Sequence, residues 1–105
     1  MNMPEYNPLD YLRNDPELQK EYITTILNEY LEDNDPTIFL NALKPLIELS
    51  GLTVSEFAKK TGINRTYFYK LFKQEVKPEF PTIVLIIKNL GFELNFNLKP
   101  ITKIA

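Results

Sequence analysis

The sequence predicts a mainly α fold, a helical bundle of about five helices closed by one C-terminal β-strand. Three observations predict it. Asp15-Pro16 and Asp35-Pro36 each precede apolar residues at helical spacing, the stretch LTVSEFAKKTGINRTYFYKL over 52–71 holds two short capped helices in succession, and residues 92–99 alternate apolar with polar side chains. With 105 residues, 44% hydrophobic and 12% aromatic, the chain suffices for one core and not for a second independent one.

Residues 1–14 contain Pro4, Pro8 and several turn formers and read as a flexible N-terminal arm that orders only against something else. Residues 15–105 read as a single helical domain. Asp15, Pro16 and Glu17 start the first helix, with the proline where a backbone N–H has no partner anyway. Leu18, Tyr22, Ile26, Leu27, Tyr30 and Leu31 then recur at helical spacing to about Glu32. Asp35 and Pro36 repeat the start signal, and the next helix runs through Phe39, Leu40, Leu43, Leu46 and Ile47 to a stop at Gly51. Pro45 lies inside it and implies a kink or a break, because the ring removes one backbone bond and meets the carbonyl four residues back.

Thr53 followed by Glu56 is a capping box, so a helix starts near Val54. Phe57, Ala58 and Thr61 share one side of it, and Gly62 ends it in the left-handed conformation a C-terminal stop prefers. Asn64 is a strong N-cap for the following helix, whose Phe68 and Leu71 turn inward. Two short helices joined by about four residues have helix-turn-helix spacing, here over 53–72. With Phe68 and Leu71 inward, Arg65, Thr66, Tyr69, Lys70 and Lys73 take the outer side, from which they would reach a groove of DNA. Arg holds a guanine edge bidentately, Thr touches a thymine methyl or bonds a base, and Lys70 and Lys73 suit phosphates or guanine. Tyr67 and Tyr69 would donate to phosphates or pack on sugars.

After this unit, Val76 to Pro81 reads as a loop. Thr82 to Leu90 reads as a helix ended by Gly91, with Lys88 suiting its C-terminus. Phe92, Leu94, Phe96 and Leu98 alternate with Glu93, Asn95, Asn97 and Lys99, the period of a half-buried strand. One strand is not a sheet. A second copy or another protein must pair with it, and the expectation is a homodimer through residues 92–99.

Charge is segregated along the chain. Residues 1–40 hold nine Asp or Glu against Arg13 and Lys20, a balance of −7; residues 41–105 hold five acids against ten Lys or Arg, a balance of +5, giving the net −2. In the segment 59–77, Lys59, Lys60, Arg65, Lys70, Lys73 and Lys77 meet only Glu75, so a phosphate backbone would find a positive surface despite a pI near 5.1. Asp15, Glu17, Glu21, Glu29, Glu32, Asp33 and Asp35 would attract a basic partner or form a plain solvated face.

Catalysis is not expected. The chain has no histidine, no cysteine and three glycines, so it offers no thiolate metal site, no disulfide, no glycine loop for phosphates and no assignable nucleophile and base. No cofactor or metal is expected. No apolar run approaches the roughly 20 residues of a membrane span, and the N-terminus lacks the regions of a signal peptide, which points to a cytoplasmic protein with no membrane partner.

The helix-turn-helix resembles that of the lambda-repressor-like class. The chain over about 15–99 resembles the HigA-like antitoxins of type II addiction modules, through NDPELQKEYITTILNEYLEDNDP, LTVSEFAKKTGINRTYFYKLF, KPEFPT and IIKNLGFELNF. The resemblance implies a dimer that represses its own operon on double-stranded operator DNA and neutralises a cognate small basic toxin, often RelE- or ParE-like. By position it places Thr53 and Val54 at the DNA backbone and Arg65, Thr66, Tyr69 and Lys70 at bases and phosphates. Thr61 departs from the pattern where an apolar residue is more usual, and Pro81 where a capping Ser is common. A stand-alone phage-type repressor without a toxin is the alternative reading.

Overall fold

The computed structural model describes residues 7–102. A 3₁₀ turn, Asp10–Leu12, leads into five α-helices: α1 (Pro16–Asp33), α2 (Pro36–Leu49), α3 (Val54–Thr61), α4 (Arg65–Phe72) and α5 (Phe80–Asn89). The mainly helical expectation is met.

Both Asp-Pro signals act as read. The Asp15 carboxylate accepts from the Leu18 N–H at 3.1 Å and the Asp35 carboxylate from the Thr37 N–H at 2.9 Å, each satisfying one free donor of a first turn. Hydrogen bonding from Thr37 holds the Asp35 carboxyl below its ordinary value of 3.8. α1 ends at Asn34 in the left-handed conformation, φ 58°, and turns directly into α2, its closest packing partner. Tyr30 stacks on Phe39 with ring centroids 5.2 Å apart, and the Tyr22 hydroxyl donates to the Ala42 carbonyl at 2.9 Å. The buried residues of α1 are Ile23 and Ile26, whereas Leu31 is 68% exposed. The spacing that selected Leu18 and Leu31 follows one helical stripe, but the core reaches α1 on a narrower face centred near Ile23 and Ile26.

α2 continues through Pro45 without a break. Its buried residues Phe39, Leu40, Leu43, Leu46 and Ile47 are those the helical spacing selects, and they form the middle of the core. Around them close Leu9, Leu12, Phe57, Ala58, Phe68, Leu71, Ile83, Ile86 and Ile87.

Two expectations are corrected, the loop and the strand. Of the stretch read as an arm over 1–14, residues 1–6 lie outside the described residues, and in 7–14 Leu9 and Leu12 are buried, the Asn7 amide donates to the Pro45 carbonyl at 2.9 Å, and the Gln19 amide donates to the Leu12 carbonyl at 2.8 Å. Burial of Leu9 and Leu12 opposes the entropy lost by ordering the turn-forming residues around them. The loop expected to Pro81 ends sooner, because α5 begins at Phe80 with the proline in its first turn, where its missing N–H costs nothing. The strand expected over 92–99 is not formed: the described residues contain no strand and offer no second segment for a ladder. The alternation survives in the packing, with Phe92 and Leu94 half-buried against the core and Glu93 and Asn95 exposed.

Candidate nucleic-acid interface

α3 and α4 each start on a side-chain cap and meet through an aromatic contact. The Thr53 hydroxyl accepts from the Glu56 N–H at 3.0 Å while the Glu56 carboxylate accepts from the Thr53 N–H at 2.9 Å, closing the capping box. That bonding, from the Thr53 backbone first, holds the exposed Glu56 carboxyl below its ordinary value of 4.5. Gly62 caps α3 at φ 78°, and a Cβ there would meet nothing within 4 Å, so backbone conformation and not space asks for glycine. Asn64 then accepts from the Tyr67 N–H at 3.1 Å to start α4. Only Gly62, Ile63 and Asn64 separate the two helices. Phe57 and Phe68, both fully buried, meet across the junction with centroids 6.1 Å apart, and Phe72 extends the cluster 4.9 Å from Phe68.

Thr61, the polar residue at an apolar position, is buried and fully engaged. Its hydroxyl donates to the Ala58 carbonyl at 2.7 Å and accepts from the Ile63 N–H at 3.1 Å, so it ties the end of α3 to the turn. A methyl group there would leave the Ile63 N–H without that acceptor.

This scaffold turns Arg65, Thr66, Lys70 and Lys73 outward, all exposed, with Tyr69 half-buried between them. The Arg65 guanidinium lies over the Tyr69 ring, 5.6 Å from its centroid. Hydrogen bonding from Arg65, then from Ser55, and the positive charges of Arg65 and Lys73 pull the Tyr69 hydroxyl below the ordinary tyrosine value. Thr53 is exposed and Val54 half-buried at the start of α3, on the side that also brings Ser55 to Tyr69. Ser55 is a neighbour of Tyr69 that sequence reasoning did not single out. Its signal was its place in the first turn of α3, which only the crossing of the two helices connects to Tyr69.

Two sequence-selected residues sit elsewhere. Tyr67 is half-buried, and its hydroxyl is buried with no hydrogen-bond partner among the described residues, turned away from the Arg65, Tyr69 and Lys73 side. Lys60, one of the six cations of 59–77, donates to the Asn89 carbonyl at 3.1 Å, neutralising the C-terminal end of α5 and not the α4 face. Among the described residues the sole ion pair joins Arg13 to Asp10 at 2.8 Å, so the cations of α4 have no carboxylate partner there.

A second surface lies beside α1. Leu27 and Leu31 of α1, Phe80, Ile83 and Ile87 of α5 and the segment 92–97 bound an apolar groove with cavities of about 450 and 190 Å³. Phe96 rests on Phe80 at 5.4 Å between centroids, yet the two remain 61% and 54% exposed.

A family model described as a probable addiction module antidote protein matches residues 2–98. The chain belongs to that family. Neither the curated proteins nor the solved structures give a match. An addiction-module antidote has a toxin as its counterpart, so the two surfaces described above belong to a protein whose role includes protein binding. No single helix of the described antidote residues is long and apolar enough to cross a membrane.

Proposed function

We propose that this antidote is the HigA-like antitoxin of a type II module, acting in the cytoplasm. It binds operator DNA through a lambda-repressor-like helix-turn-helix made of α3 and α4, and as a homodimer it represses its own operon. It neutralises a small basic toxin of the RelE or ParE kind by protein–protein binding. The observation that carries the DNA reading is α4 itself: Arg65, Thr66, Lys70 and Lys73 stand exposed and without carboxylate partners on a helix fixed by the Thr53, Gly62 and Asn64 caps. Such a helix supplies phosphate contacts and a bidentate donor for a base edge while the buried phenylalanines hold its orientation. Thr53 and Val54 at the start of α3, with Tyr69 and Ser55 between the helices, serve the backbone.

For the toxin, α1 offers the matching charge. Asp15 and Asp35 are committed to caps, which leaves Glu17, Glu21, Glu29, Glu32 and Asp33 exposed along the helix. Two measurements test the whole. Fluorescence anisotropy on the promoter duplex is expected to show affinity falling steeply as salt rises, and a flat salt response would remove the DNA role. Growth of cells expressing the adjacent small reading frame is expected to stop without this protein and recover with it. A harmless neighbour would return the reading to a stand-alone repressor.

A further inference from the structure

We propose that residues 93–99 of two copies pair as an antiparallel two-stranded ribbon in a single register, with Phe96 on the twofold axis. The proposal rests on the dimeric reading above and specifies it. The Phe92 N–H donates to the Ile87 carbonyl at 3.1 Å, and beyond it no hydrogen bond is made by residues 93–102 within the described chain. Seven consecutive residues therefore present backbone donors and acceptors while their side chains alternate in character.

In an antiparallel pair related by a twofold axis normal to the ribbon, opposite side chains must point to the same face, so the axis passes through a residue and not between two. Each choice of axis fixes every pair. With the axis at Phe96, Asn95 stands opposite the partner's Asn97, Leu94 opposite the partner's Leu98, and Glu93 opposite the partner's Lys99. Apolar meets apolar on one face, amide meets amide on the other, and two ion pairs of opposite charge close the ends. An axis at Asn95 sets Glu93 against Asn97 and Lys99 against Gly91; an axis at Asn97 sets Glu93 against Ile101 and Lys99 against Asn95. Only the Phe96 axis pairs the two charges of the segment, and neither charge has an ion-pair partner among the described residues. Pro100, which cannot donate to a ladder, then falls at the margin of the ribbon.

The same register accounts for exposure. Leu98 is 99% exposed in one copy. Set beside the partner's Leu94, it lies over the partner's groove between α1 and α5, where it covers Leu31 and Phe80 as well. Two symmetry-related grooves are filled by one ribbon.

Sedimentation velocity on the full chain tests this with Glu93→Lys, Lys99→Glu and the double variant. All positions are exposed, and circular dichroism is expected to be the same for all four proteins. Wild type is expected to dimerise at micromolar concentration. Each single reversal places like charges opposite each other twice per dimer and should weaken it roughly tenfold, while the double variant restores wild-type affinity. Because the chain has no cysteine, Phe96→Cys should also form a disulfide-linked dimer faster than Asn95→Cys on mild oxidation. A wild-type dimer indifferent to the single reversals, or a double variant no better than the singles, overturns the register and leaves the dimeric reading standing. A wild-type monomer overturns both, and if the reversals then alter only toxin binding, the ribbon belongs to the toxin.

Discussion

Gly62 concentrates the demands of the α3–α4 junction on one backbone angle. At φ 78° an alanine is strained although its methyl would meet nothing, so Gly62→Ala is expected to destabilise the protein by about 1 kcal/mol in denaturant unfolding without creating a clash. Glycine here was legible in the sequence because a turn between two capped helices needs that conformation. Thr61 was legible only as an anomaly, since its two hydrogen bonds depend on where the Ile63 N–H points. Arg65 carries the sharpest functional expectation. Arg65→Ala should cost about 1–3 kcal/mol at the cognate duplex and relax one base position, measured by anisotropy on a set of single-base variants. Equal affinities for wild type and mutant would remove Arg65 from the base contacts. Tyr69 bears on the same experiment, because its ring lies beneath the Arg65 guanidinium, 5.6 Å from the centroid, and narrows the positions open to it before binding.

Among the elements, helix starts are the part the sequence states most directly. Asp15, Asp35, Thr53 and Asn64 each accept from the first-turn N–H that their position requires, because a cap is a local bond that needs no knowledge of the rest of the fold. α5 is different: its start has no side-chain cap bond and Pro81 alone marks the first turn, so the sequence places its beginning two residues late. Two caps depend on ionised carboxylates. Asp35 and Glu56 both have folded values lowered below 3.8 and 4.5, so their contribution is complete above that range and is lost as pH falls through the lowered folded values. Thermal melting of wild type and Glu56→Ala should therefore differ at neutral pH and converge in acid. A difference unchanged down to pH 2 would show that the carboxylate charge is not what the cap uses. The segment after Gly91 departs from its sequence pattern for the complementary reason. Its alternation is local and visible, whereas the ladder that makes a strand is not local and has no partner among the described residues.

Across the whole molecule, the unequal charge of the two halves of the sequence becomes a division of labour between helices. The exposed carboxylates of α1 and the exposed cations of α4 sit on elements that the core of α2 separates, so under the proposed function a basic toxin and an anionic duplex would meet different faces. Reversing Glu29, Glu32 and Asp33 together should slow toxin association and weaken affinity at low salt, with the effect shrinking as salt rises. Surface plasmon resonance at two ionic strengths measures it, and unchanged affinity at low salt would release α1 from the toxin interface. Sequence showed that charge was segregated but not where it went. Lys60 bonds to the end of α5 and Asp15 and Asp35 serve caps, assignments that depend on distances between helices far apart in the chain.

The way the core is shared among successive helices has a consequence in time. α1 packs on α2 and α3 on α4, and the exceptions, α2 on α4 and α3 on α5, skip a single helix. Few loops must close before contacts begin to stabilise, which places this chain among the fast folders, in the microsecond to millisecond range of helical bundles. During synthesis, Leu9 and Leu12 can settle on α1 and α2 early, and Ile83, Ile86 and Ile87 of α5 close the core last. Once those emerge, the folded form follows within milliseconds. Helix packing of this kind is expected to be fast beside synthesis at about 5–20 residues per second, so the last helix to emerge sets when the core closes.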